Sequence, residues 1–191
     1  MQKSKKNKGK TRKSTPKLGI IFIFLIATIT FLASSFFYYK FHLHIPTKQS
    51  SRVSANLYFA DRNGKNLVIE KREVEASSTL INQAKYVILE LIKGPDNNLK
   101  KTIPHGTKLR DLSLNAKGIA IVDFSPELIS KHPGGSYGEL FTIYSIVNTL
   151  TLNFKEIKKV QIVVEGKNVG TIAGHIYVAS PFSANTTIVG K

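Results

Sequence analysis

Residues 18–39 form an unbroken run of twenty-two positions without a charged side chain. No other stretch restricts the chain so strongly. About 20 consecutive apolar residues, wound as a helix, cross the hydrocarbon core of a bilayer. Tyr38 and Tyr39 end the run where an interfacial aromatic belt belongs, and Lys40 follows. Ahead of it, residues 1–17 hold eight of the 28 Lys and Arg residues and none of the 12 Asp and Glu residues, so half of the formal charge of +16 is local. The positive-inside rule then places this basic tail in the cytoplasm and everything after Lys40 outside. A cleaved signal peptide is the competing reading, because Ala33, Ser34 and Ser35 resemble a small-residue cleavage site. The run exceeds the 7–15 residues of a signal core, which favours a single-pass anchor. Both readings export the remainder.

A lysine-rich tail can also bind nucleic acid. Directly before a span, orientation and attraction to anionic lipid heads explain it more simply, so we expect the cytoplasmic membrane as partner and no nucleic acid. The chain has no cysteine, which excludes disulfides, thiolate chemistry and a lipid-modified N-terminal cysteine. The expected domains are a basic tail (1–17), a transmembrane helix (18–39), a polar linker (40–52), one folded domain (53–183) and a flexible tail (184–191).

Within the folded part, residues 56–60 and 67–74 are rich in strand formers and flank the turn residues Asp61 and Gly64, as in a hairpin. Residues 79–93 follow Ser77 and Ser78 as candidate caps. They place Leu80, Ala84, Val87, Ile88 and Leu91 on one face, with Asn82, Lys85, Glu90 and Lys93 opposite. Gly94 and Pro95 end this helix. Strands are predicted at 108–114 and 119–124, and a short turn through Ser130 follows Pro126. Ser136 and Glu139 have capping-box spacing at the head of another helix. That helix turns Leu140, Ile143, Tyr144, Val147, Leu150 and Thr151 toward a core. A last strand spans 159–165. The order β-β-α-β-β-α-β defines an α+β domain with two helices packed on a mainly antiparallel sheet.

The second helix has an unusual outer arc. Gly138, Thr142, Ser145, Ile146 and Thr149 share it, and no Lys or Arg lies between Gly138 and Asn153. Solvated helix faces carry charge, so this arc is a candidate interaction face, for a partner or for the chain's own 174–182 segment.

The sequence shows no catalytic constellation. His105, His132 and His175 are widely separated and lack metal-ligand spacing, and His42 and His44 fall in the tether. Asp123 at a strand end reads as a turn cap, and Ser125 and Ser136 lack a nucleophile setting. The glycines at 134 and 135 could cradle an anion at a helix start, although Glu139 opposes one. We expect no catalytic residue, no cofactor and no metal. The basic domain makes an anionic cell-wall polymer a candidate partner.

Eight motifs in register resemble the GerMN domain family: residues 58–61, 67–74, 91–95, 103–107, 122–125, 139–151, 160–166, and Gly174-His175 with Pro181-Phe182. This family is known from the sporulation and spore germination protein GerM and from lipoproteins such as LpqB. The resemblance implies a fold similar to the ring-building motifs of envelope-spanning machines. It also implies an extracytoplasmic role in assembly or sensing, without known catalysis. One domain copy and a membrane helix, in place of two copies and a lipidated cysteine, set this chain apart from GerM. Two functions follow as expectations. One is a non-catalytic envelope module that contacts an envelope protein or a second copy of itself. The other is an LpqB-like sensor whose 104–107 and 132–136 loops hold a small molecule or wall fragment.

Overall fold

A computed structural model describes residues 17–43 and 51–190. Most of the basic tail, the tether residues 44–50 (including His44) and Lys191 lie outside the described residues. The chain divides into two units, 1–49 and 50–191.

In the first unit, helix α1 covers Lys17–Leu43. At ~1.5 Å per residue its 27 residues exceed the roughly 30 Å of a bilayer core. Lipid offers no hydrogen bonds, and three hydroxyls in the middle of the helix, those of Thr28, Thr30 and Ser34, are bonded to its own backbone. Thr28 Oγ1 donates to the Leu25 carbonyl at 2.9 Å, and Ser34 Oγ to that of Phe31 at 3.2 Å. Near its C-terminal end Lys40 Nζ lies 5.8 Å from the Phe36 ring centroid, a placement suited to a membrane–water boundary.

The second unit contains β1 (Arg52–Ala60), β2 (Leu67–Glu75), α2 (Leu80–Lys93), β3 (Leu109–Leu114), β4 (Ile119–Phe124), α3 (Glu127–Ser130), α4 (Ser136–Asn153) and β5 (Lys159–Val164). β1 and β2 pair antiparallel from Arg52–Glu75 to Ala60–Leu67. Asp61 closes the hairpin by accepting the Lys65 N–H at 2.9 Å. Thr79 caps α2 and accepts the Asn82 N–H; the cap falls one residue after the expected serines. Gly94, at φ +97°, ends the helix in a conformation that side chains rarely adopt.

The expected single sheet is divided in two. β3, β4 and β5 form the second sheet, in that order. β3–β4 is antiparallel, with a bulge between Leu109 and Asp111, and β4–β5 is parallel. Parallel neighbours need a long crossover, and α3 with α4 supply it. One hydrophobic core joins Phe59, Ile88, Leu91, Phe124, Ile143, Ile146, Leu150 and Ile162. α4 is its spine, buried along nearly every face from Glu139 to Leu150.

Residues 184–190 are docked as well, against the expectation of a loose tail. The Leu67 N–H donates to the Ile188 carbonyl at 2.8 Å, and the Gly190 N–H to the Leu67 carbonyl at 2.8 Å. The side chain of Asn148 on α4 holds both the N–H and the carbonyl of Asn185, at 2.9 and 2.8 Å. A buried amide that pairs with a backbone in this way mimics one rung of a sheet.

Candidate functional site

The uncharged arc of α4 is interior, which corrects its reading as a free interaction face. Thr142, Ser145, Ile146 and Thr149 are at most 1% exposed. The reason is the free edge of β1, whose Asn56, Tyr58 and Ala60 N–H groups have no partner in β2. Asn153 Oδ1 accepts from the Asn56 N–H at 2.9 Å, Thr149 Oγ1 from that of Tyr58 at 3.2 Å, and the Lys100 backbone carbonyl from that of Ala60 at 3.2 Å. Asn153 Nδ2 donates back to the Asn56 carbonyl at 2.7 Å. Helix side chains thus finish a sheet edge that would otherwise be buried and unpaired. Lys or Arg there could not accept the strand's N–H groups. β1 and residue 102 cover the arc at Thr149 and Thr142, while the 174–182 segment packs on α4 at Tyr144 and Glu139.

The capping box is corrected too. Gly135 is the N-cap of α4, with no side-chain cap bond, and Glu139 reaches away from Ser136. Its fully buried carboxylate accepts four backbone N–H groups: Ile172 and Ala173 on Oε1, both at 2.8 Å, and His175 and Ile176 on Oε2, at 2.8 and 3.1 Å. Burial pushes its pKa up, but the four N–H groups outweigh burial and leave the acid below its ordinary value. His175 Nδ1 lies 3.4 Å from Oε2. One side chain thereby fixes a loop that has no regular structure of its own.

Glu70 repeats the device on β2. It accepts the N–H groups of Asp96 and Asn97, each at 3.2 Å, and it pairs with Arg72. Arg72 also donates to the Gly94 carbonyl at 3.0 Å and to the Glu90 carbonyl at 3.2 Å, and its guanidinium lies 5.8 Å from the centroid of the Phe59 ring. The cluster therefore ties the end of α2 to the first sheet. Burial again opposes ionisation, yet Glu70 too is held below the usual carboxylate range. Both acids are spent on structure. A carboxylate locked ionised by several N–H donors is a poor proton carrier near neutrality.

The other singled-out residues are structural as well. Asp123 accepts the Gly166 N–H at 2.9 Å and the Arg110 Nε–H at 3.0 Å. Ser125 Oγ accepts from the Lys108 N–H at 2.9 Å. Ser136 is exposed at the start of α4, and His42 lies in α1. Among the described residues no group of His, Asp and Glu has the arrangement of a metal site.

Two predicted loops do come together. Residues 100–105, led off by the Ala60–Lys100 bridge, and residues 131–138, between α3 and α4, face each other across a cleft of about 440 Å³. Pro104, His105, His132 and Pro133 from the expected ligand loops line it, and so do Gly138 and Thr142 from the arc. A relay joins the walls. The Gly134 N–H donates to His132 Nδ1 at 3.0 Å, His132 Nε2 is 3.0 Å from Thr142 Oγ1, and that hydroxyl donates to the Thr102 carbonyl at 2.6 Å. Because the threonine proton is committed to the carbonyl, Nε2 must donate and Nδ1 must accept. The relay therefore needs neutral His132. Burial lowers the pKa of this histidine, against the opposing pull of Glu139. Gly134 and Gly135 take φ of +86° and +83° with open space where a Cβ would stand, so conformation rather than crowding demands glycine there. The histidine beside the glycine pair was the available sequence signal for this site; the distant Lys100 wall left none.

This α+β fold, an antiparallel hairpin beside a mixed sheet, is similar to that of GerMN domains. The tandem GerMN domains of the sporulation protein GerM from Bacillus subtilis match at a TM-score of 0.55 and 24% identity, over 70% of this chain and 46% of that one. The first GerMN domain of the same protein matches at 0.51 and 22%, over 70% and 96%. At these identities the likeness is one of fold, and the chain spans about half of the tandem structure. A Clostridium perfringens protein described as a lipoprotein matches at 0.51 and 27% identity, over 73% and 92%. The family model Germane, sporulation and spore germination, matches residues 56–170, and the chain belongs to this family. No curated protein matches it.

Proposed function

We propose that this chain is a membrane-tethered, extracytoplasmic and non-catalytic interaction module of the cell envelope, serving sporulation or spore germination. One observation carries the reading. The buried carboxylates of the domain, Glu70 and Glu139, are saturated by N–H donors that hold loops in place, so the fold invests its buried charge in shape. The apolar helix α1 and the family support the setting. In this reading α1 spans the membrane once with residues 1–17 in the cytoplasm. The domain meets an envelope protein or a second copy of itself. Light scattering on residues 51–191, a unit with its own core, tests the assembly half. Molar mass that rises with concentration is expected. A strict monomer that also forms no cross-link on the cell surface contradicts it.

A second reading, a sensor of a small ligand or wall fragment, is favoured by a separate observation: the 100–105 and 131–138 loops form one cleft. It predicts a saturable thermal shift with solubilised wall fragments, and a flat titration removes it.

A further inference from the structure

We infer that the cleft between residues 100–105 and 131–138 is a binding site for an anionic glycan, a sugar chain bearing carboxylates or phosphates. This rests on the second, ligand-binding reading and names its ligand class.

The charge of the lining comes first. Lys100, Lys101 and Lys131 line the cleft with His105 and His132, and no Asp or Glu does. The three lysines form no ion pair with another described residue. Arg72, Lys85, Lys93 and Arg110 have acidic partners; other lysines on the surface, such as Lys117 and Lys155, form no ion pair with a described residue, but those of the cleft converge on one concave lining. The nearest acid on the α3 side is Glu127, which feels Lys131 and Lys108 and packs beyond Gly106 outside the cleft. Uncompensated cations around a concave surface focus potential into it and attract anions. The first turn of α4 adds to this field, since Tyr137 and Gly138 line the cleft where helix N–H groups are unpaired. Glu139 turns its carboxylate away, toward residues 172–176, none of which line the cleft, although its charge still reaches His132 and offsets part of this field.

The shape of the lining says what carries the charge. Tyr137 is 68% exposed and tilted at 46° to Phe141, with ring centroids 6.1 Å apart. Tyr137 and Pro133 offer exposed apolar surface beside the lysines, with Phe141 and Pro104 buried beneath them. A flat ring next to cations suits a pyranose face that carries an acidic substituent, whereas a bare phosphate would leave that surface unused. The wall also holds a polar group in reserve. The Thr102 hydroxyl is buried and has no hydrogen-bond partner among the described residues. A sugar hydroxyl can complete it.

The test uses the full chain in a neutral detergent and follows tyrosine emission, since the chain has no tryptophan. Four probes are titrated: a glycan of alternating N-acetylglucosamine and N-acetylmuramic acid, a glycerol-phosphate oligomer, a neutral chitin oligosaccharide, and an oligonucleotide matched in charge. The acidic glycan is expected to saturate, and Lys100→Ala with Lys131→Ala to weaken it about tenfold or more. Tyr137→Ala should weaken the glycan about tenfold while leaving the glycerol-phosphate oligomer unchanged. All three positions are exposed, so the variants should fold, and unchanged circular dichroism verifies it. Saturation by the neutral oligosaccharide, insensitive to the lysines, overturns the anionic class and keeps the ligand-binding reading. Equal binding of the oligonucleotide, or indifference to Tyr137→Ala, shows bulk electrostatics and overturns the glycan. No saturation with any probe removes both readings.

Discussion

Helices α2 and α4 lie in the same core and were built by opposite rules. α2 buries Ala84, Val87, Ile88 and Leu91 and turns Asn82 and Lys93 to water, so its sequence states which side is which. α4 is buried on both sides, and its polar residues are not a surface. Thr149 and Asn153 complete the edge of β1, Asn148 clamps the C-terminal segment, Thr142 joins two loops, and Glu139 holds a third. An uncharged polar stripe therefore has two meanings, a covered exterior or an interior hydrogen-bonding strip. They differ in what a charge there would do.

That difference is largest for a lysine placed on each helix. Ser145→Lys would bury an unpaired ammonium at a fully enclosed site and should cost about 4 kcal/mol or more, which leaves the domain largely unfolded. Leu89→Lys on the exposed side of α2 should stay within about 0.5 kcal/mol. Urea unfolding of both variants decides it, and a folded Ser145→Lys protein would return the arc to the surface.

Glu139→Gln comes next. It keeps the shape but replaces one accepting oxygen with a donor that faces N–H groups, and we expect a loss of about 2–3 kcal/mol. Urea midpoints for wild type and variant would show it, and no change would mean that water can replace the carboxylate. Smaller again is Thr149→Val, which fills the same space but abandons the Tyr58 N–H. About 1–2 kcal/mol should disappear from the unfolding free energy, with the amide of Tyr58 exchanging faster.

Acid offers the subtlest probe. Because the folded His132 pKa lies below its ordinary 6.5, the unfolded chain takes up that proton first, and stability falls as pH drops through about 6.5 and below. Glu139 follows the same sign from its ordinary 4.5 downward. The midpoint-against-pH curve should descend in two stages, and His132→Gln should remove the upper one. An unaltered upper stage would assign it elsewhere.

The elements themselves were legible in the sequence. The hairpin, α2 and β4 announce themselves through strand formers, helical spacing and turn residues; the structure reproduces the bounds of β2, α2 and β4 within a residue or so, while β1 starts four residues earlier than expected, at Arg52. What was hidden is non-local. Nothing near Glu139 announces residues 172–176, and the capping-box spacing with Ser136 offered a nearer, incorrect partner. Asn148 finds Asn185, and Leu67 finds residues 188–190, only through the fold. The parallel β4–β5 pair depends on a crossover that strand patterns do not encode. Likewise, the histidine side of the cleft could be guessed from His132 beside two glycines, but its lysine wall is set by Lys100 pairing with Ala60 at the far end of β1.

Hydrogen exchange at residues 172–176 tests the interior role of α4 most directly. The N–H groups of Ile172, Ala173, His175 and Ile176 belong to a loop without regular structure, yet each is bound to Glu139. They should exchange slowly, nearly as slowly as α4 itself, and Glu139→Gln should release them while α4 remains protected. Rapid exchange of all four in the unaltered protein, beside a protected α4, would contradict the account.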